Sequence, residues 1–242
     1  MEEIKLYGVK NIRDISYKNI NEKKLIRSSA LNNLTKDDAN LLAYKYDVNT
    51  IIDLRTLAEV KKENMKVPNA KYYHIQLLSG SELGITHESG RRKIPTIIPD
   101  LTVTYPKLVS YDKKESWTSI FEILANNKSG ALLWHCSAGK DRCGIVSAII
   151  EYTLGLDNDT IMYDYLLTNK YINIPNKYKI ASLILNKQNR EKFKNIFYAK
   201  KEYLLSALDY INNIYGNMDN FLKEVCNVDE NKKEKIRSLY LK

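Results

Sequence analysis

A thiol, a carboxylate and a guanidinium fall within seven residues, Cys136 to Arg142, in the run His135-Cys136-Ser137-Ala138-Gly139-Lys140-Asp141-Arg142. The run follows apolar Ala131-Leu132-Leu133-Trp134 and precedes an apolar stretch from Ile145 to Leu154. It therefore reads as strand, tight loop, helix. Gly139 and Gly144 supply backbone freedom. Successive N–H groups in such a turn form a nest for an anion, and the helix N-terminus adds partial positive charge. A thiol placed there loses its proton below the ordinary value of about 8.5 and becomes a nucleophile. Arg142 presents a planar fork that fits two oxygens of a tetrahedral oxyanion, which lysine cannot do bidentately. Together these suit attack of the Cys136 sulfur on a bound phosphoryl group. Ser137, Ala138, Gly139 and Lys140 would line the cradle. Lys140 is either a second positive charge over the pocket or a solvent-pointing one.

Other chemistries fit less well. The Gly-x4-Gly-Lys-Ser/Thr pattern of a nucleotide-binding loop is missing. Cys136, Cys143 and three scattered histidines show no zinc-ligand spacing, so no metal or other cofactor is expected. A sulfurtransferase using Cys136 is disfavoured by the neighbouring Asp141. His135 is read as fixing the loop and tuning the thiol, and His74 and His87 as structural.

The elements that must position this loop are legible from periodicity. Leu25–Ser28, Thr50–Leu54, Tyr72–Ile75 and Ala131–Trp134 read as short strands. Helices are expected from Thr35 to Lys45, Leu57 to Met65, Glu115 to Asn127 and Ile145 to Leu154. Others are expected over Asp157–Thr168, Glu202–Ile214, Asn217–Val225 and Asp229–Leu241. Ser79 to Pro106 holds three glycines and three prolines and reads as a long loop or lid. Strands alternating with helices predict an α/β fold with a purely helical C-terminal third. Asp53 ends a buried strand, where α/β sites collect. It would assist as an acid or hold Arg142, or pair structurally with Arg55.

No repeat or linker divides the 242 residues, so a single domain over 1–242 is expected. Three cysteines are too few for a disulfide framework, and Met1–Lys5 lacks the pattern of a signal peptide; both point to a reducing, cytoplasmic setting. No apolar stretch reaches the roughly 20 residues of a membrane span. The net charge is +9, and Lys170–Lys201 holds nine basic residues against one acid, Glu191, for +8. That segment is either a surface for anionic partners or a solvated helical face.

The loop resembles the signature of the bacterial atypical tyrosine phosphatases with dual protein and phosphoinositide activity. Asn11-Ile12-Arg13-Asp14 is similar to that family's "NxRD" segment and Arg27-Ser28-Ser29-Ala30-Leu31 to its "RSxxL" segment. Ile52-Asp53-Leu54-Arg55 with Glu59 resembles "IDLRxxxE", and Asp164-Tyr165-Leu166-Leu167-Thr168-Asn169 resembles "DYLLxN". The likeness implies a central parallel sheet flanked by helices; the basic segment Lys170–Lys201, with apolar anchors such as Phe193 and Phe197, is read as a helical lid over the pocket or a core-packed helix pair. The likeness implies catalysis by Cys136 and Arg142 through a phosphocysteine intermediate, without a cofactor. It also places the general acid inside the loop at Asp141, whose other reading is a carboxylate orienting Lys140 or Arg142. The substrates implied are phosphorylated proteins or phosphoinositides; the basic segment suits a transient membrane-surface contact, and no nucleic-acid partner is expected. Where the family carries Ser or Thr after the arginine, this chain has Cys143. A thiol is a poorer donor to the departing sulfur, so a phosphate-binding module with stalled turnover is the alternative.

Overall fold

A computed structural model describes residues 3–17, 19–60, 66–78, 100–172, 183 and 187–242. Five strands form one sheet: β1 (Arg13–Asp14), β2 (Leu25–Ser28), β3 (Val48–Asp53), β4 (Lys71–His74) and β5 (Ala131–His135). Their order across the sheet is β1-β2-β5-β3-β4, parallel throughout except for antiparallel β1. β5 therefore runs down the middle. Its last residue, His135, sits level with Ser28 of β2 and Asp53 of β3. Cys136 leaves the sheet at the carboxyl edge, where ligands of open α/β sheets bind.

Side chains alternate across the strands with period two. Leu132 and Trp134 of β5 join Leu25 and Ile52 in one apolar cluster, while Ala131 and Leu133 join Ile26 and Ile51 in the other. The helices divide unequally between these faces. The second face takes α1 (Lys36–Asn40), which continues as a π-helical turn over Leu41–Lys45. Thr35 caps α1 and exchanges hydrogen bonds with Asp38. The first face carries α3 (Leu101–Leu108), α4 (Lys114–Asn126), α5 (Asp141–Thr153) and α6 (Asn158–Tyr171). It also carries the C-terminal helices α8 (Lys201–Tyr215), α9 (Met218–Glu224) and α10 (Glu230–Tyr240). Two further helices are α2 (Leu57–Val60), whose Glu59 reaches the loop that follows β5, and α7 (Lys187–Asn195), whose Phe193 joins the first apolar cluster.

The fold is the α/β sandwich that the strand–helix alternation predicts. One expected element differs. Leu101 to Pro106 belongs to α3 and not to a loop, with Asp100 capping through the Thr102 N–H at 2.9 Å. Pro106 lies inside this helix, where it lacks the N–H that would bond the Thr102 carbonyl, and the helix stops two residues later. Buried Tyr105 and Leu108, packed against α8, outweigh the breaker signal. The rest of the Ser79–Pro106 stretch, including His87, lies almost wholly outside the described residues, as does the end of the Leu57–Met65 helix. β1 has no sequence signal, being two residues long.

Candidate active site

The loop after β5 is shaped from behind. Gly139 has φ +68°, and a Cβ there would lie 2.7 Å from the backbone of Ser28 and Ser29, so only glycine fits. The Asn11 amide donates to the carbonyls of Ala138 and Gly139 at 2.9 and 3.0 Å, and Arg27 donates to the Gly139 carbonyl at 2.9 Å. The Ala30 N–H donates to the Ser137 carbonyl at 3.3 Å. With its carbonyls drawn outward, the planar peptides turn their N–H groups toward the concave side, as an anion nest requires.

Those ties hang on a buried ionic cluster. Asp164 of α6 accepts from Arg27 at 2.5 Å and from Arg13 at 3.0 Å. Arg13 also donates to Asn11 Oδ1 at 2.8 Å, to the Asp164 carbonyl and to Thr168. Burial pushes the Asp164 carboxyl up, but the two guanidiniums outweigh it and keep it ionised. Burial and the charge of Asp164 push the nearby Glu151 carboxyl well up, against the pull of the two guanidiniums. The "NxRD", "RSxxL" and "DYLLxN" segments meet here, a role their sequences did not disclose.

Cys136 and Arg142 face one another across the cradle. Burial pushes the Cys136 thiol up, yet hydrogen bonds from the Cys143 thiol and backbone N–H and the charge of Arg142 bring it down to about 6. Cys143 itself is driven well above its ordinary value, first by burial and then by the neighbouring sulfur, and so remains a donor. The Cys143 thiol also lies 3.6 Å from the Ser28 carbonyl oxygen and 3.9 Å from that of Trp134, so its single hydrogen has more than one acceptor within reach. His135 is fully buried, which lowers it to about 4 and keeps the ring neutral.

Glu59, which the sequence marks only as part of a motif, organises the cradle. It accepts from Arg142 Nη1 and Nη2 at 2.8 and 3.1 Å, from the Thr56 N–H at 2.8 Å and from the Ser137 hydroxyl. Burial raises its carboxyl, but Arg142 and the other donors bring it to about 2. Arg142 also donates to the Leu54 carbonyl at 3.2 Å and to Ser137 Oγ at 3.3 Å. The fork is thereby fixed in plane before any ligand binds.

Two expected residues sit elsewhere. Asp53 takes the structural alternative: Arg55 binds it bidentately, with Nη2 at 2.6 Å and Nε at 2.9 Å, and Arg142 donates instead to Leu54, Glu59 and Ser137. The guanidinium two residues away outcompetes the distant one, and Asn32 and Glu59 fix Arg55 in turn. Lys140 is 2% exposed and does not project over the pocket. Its ammonium donates to the carbonyls of Ile196 and Tyr198 and lies 3.2 Å from Asp141 Oδ1. The end of the basic segment thus closes onto the loop through Lys140, while residues 173–182 and 184–186 lie outside the described residues. Asp141 stands at the first turn of α5, with Oδ1 receiving the Tyr105 hydroxyl at 2.7 Å. Tyr105 carried no signal in the sequence. His74 meets the Arg55 carbonyl at 2.7 Å, in keeping with a structural role.

The sequence matches the family described as the tyrosine phosphatase family over residues 4–242. It is 28% identical over 148 residues to a tyrosine-protein phosphatase of Nostoc commune, covering 61% of this chain and 49% of the relative. It is 31% identical over 106 residues to the triple specificity protein phosphatase PtpB of Mycobacterium tuberculosis, covering 38% of each. The matched stretches thus span half or less of these relatives' own length.

Proposed function

The chain belongs to the tyrosine phosphatase family, and from that premise we propose that it is a cysteine-dependent phosphomonoester hydrolase acting on phosphotyrosine proteins, phosphoinositides or both. One observation carries the reading: a thiol titrating at about 6 stands beside a buried, pre-oriented guanidinium in an anion cradle. At neutral pH that thiol is a thiolate.

The phosphoryl oxygens seat on the loop N–H groups. Nε of Arg142 and the Nη2 hydrogen now shared with Ser137 are left for two of them. The Cys136 sulfur attacks phosphorus in line, forming the S–P bond as the ester P–O bond breaks. The leaving oxygen takes a proton from Asp141. Water then attacks phosphorus and gives a proton back to Asp141, and the sulfur departs as a thiolate received by the Cys143 thiol. That waiting donor favours complete turnover over a stalled phosphoenzyme.

The name of the mycobacterial relative supports a substrate range wider than phosphotyrosine, and the +8 segment supports anionic partners, a lipid surface among them. Pre-steady-state hydrolysis of a chromogenic aryl phosphate tests the reaction. Steady release by wild type, none by Cys136→Ser and retained phosphate binding by that variant are expected. A burst that stalls would favour the phosphate-binding module. Phosphopeptides and phosphoinositide vesicles assayed side by side set the range. Charge reversal at Lys192 and Lys194 should weaken vesicle turnover more than aryl phosphate turnover.

A further inference from the structure

The reading above assigns the leaving-group proton to Asp141 but does not say what aims it. We propose that Tyr105 of α3 is a positioning residue for that proton donor, holding Asp141 Oδ1 so that the transferable proton is carried on Oδ2. The proposal rests on the phosphatase reading with Asp141 as acid.

The Tyr105 hydroxyl is fully buried and lies 2.7 Å from Asp141 Oδ1 and 2.6 Å from the Tyr165 hydroxyl. A phenol has one hydrogen to give. Tyr105 gives it to the carboxyl oxygen, so Tyr165 must give its own to Tyr105. The hydrogen bonds therefore run one way, from Tyr165 to Tyr105 to Asp141. The Lys140 ammonium reaches the same Oδ1 at 3.2 Å. Oδ1 is saturated by donors and is the acceptor oxygen in either protonation state. The acidic hydrogen belongs on Oδ2, which meets no hydrogen-bond partner among the described residues.

A second observation shows that the chain is built for this contact. A Cβ on Gly144, one helical turn into α5, would fall 2.8 and 2.9 Å from Cδ2 and Cε2 of Tyr165. Glycine at that position lets the Tyr165 ring lie against the helix that carries Asp141. The ring of Tyr105 is clamped in turn between Tyr165, edge-on at 6.2 Å, and Tyr203 of α8 at 5.7 Å. Asp141 is a short side chain at a partly exposed helix start and would otherwise sample several rotamers. Burial and the adjoining carboxylate keep Tyr105 a phenol, so it donates without itself titrating. As Asp141 gives up its proton it becomes charged, and the bond from Tyr105 becomes charge-assisted at the moment the ester bond breaks.

The test is the leaving-group dependence of Tyr105→Phe in the full chain. With a nitrophenyl phosphate, whose phenolate departs unaided, the loss should stay under about threefold. With unsubstituted phenyl phosphate, which needs the proton, it should reach about 10- to 100-fold, the worth of a hydrogen bond to a charged group. In an Asp141→Asn background Tyr105→Phe should add nothing further, because the two act as one unit. Equal losses on both substrates, or none on the poor one, would overturn the positioning role. If Asp141→Asn itself lacks the leaving-group dependence, the acid assignment falls and this role with it. If Asp141→Asn shows the dependence and Tyr105→Phe does not, only the positioning role falls. Should Tyr105→Phe fail to fold, Tyr165→Phe leaves the Tyr105–Asp141 bond but unties its far end. It should show a smaller loss in the same direction, and no loss would overturn the relay.

Discussion

Glu59→Gln takes one negative charge from beside Arg142 while preserving the shape of the side chain. In the folded protein four donors converge on Glu59, two of them from Arg142 at 2.8 and 3.1 Å. Burial alone would raise its carboxyl, but the donors hold it at about 2 against an ordinary 4.5. That depression corresponds to about 3 kcal/mol, which solvent screening at the loop edge trims to about 2 kcal/mol. In a chain of this size the unfolding midpoint should fall by about 4–8 °C at pH 7. Because the folded carboxyl is the more acidic one, its stabilisation is complete above the unfolded value and fades as pH falls through about 2. At pH 3 about two-fifths of it should remain. Calorimetry of both proteins at pH 7 and pH 3 measures the difference. A deficit as large at pH 3 as at pH 7, or a midpoint within about 1 °C of wild type at pH 7, would refute the reasoning.

Asp164→Asn strands two fully buried guanidiniums and should cost about 3–5 kcal/mol, read as a thermal midpoint lower by at least about 6 °C. Cys136 should reach half-maximal alkylation by iodoacetamide near pH 6, and Cys143→Ala, lacking the S–H donor, should move that midpoint upward. Gly139→Ala drives a Cβ into the backbone of β2 and should abolish inorganic phosphate binding, measured by titration calorimetry. Arg142→Lys should lose both binding and turnover, since a point charge cannot present the fork.

Much of this protein follows from neighbours in sequence. The Cys136–Arg142 spacing is set within one turn, so the residues that form a nest and a helix start also display the thiol and the guanidinium. Helix starts at Asp157, Asn217 and Asp229 are closed by caps reaching three residues ahead. The apolar alternation of β5 assigns Leu132 and Trp134 to one face and Leu133 to the other before any partner is known. Partner choice is different. Asp53 had two arginines to choose from, and the near one, Arg55, holds it through both its side chain and its backbone N–H. Lys140 was drawn to the carbonyls of Ile196 and Tyr198, which nothing in its own segment foretold. Glu59 meets Arg142 across 83 residues, Arg27 meets Asp164 across 137 and Tyr105 meets Asp141 across 36. Periodicity and capping carry information over a few residues, because they express local backbone geometry. Which buried donor finds which acceptor is decided only when the sheet order brings distant segments to one edge, and an unpaired charge there costs too much to leave unmatched.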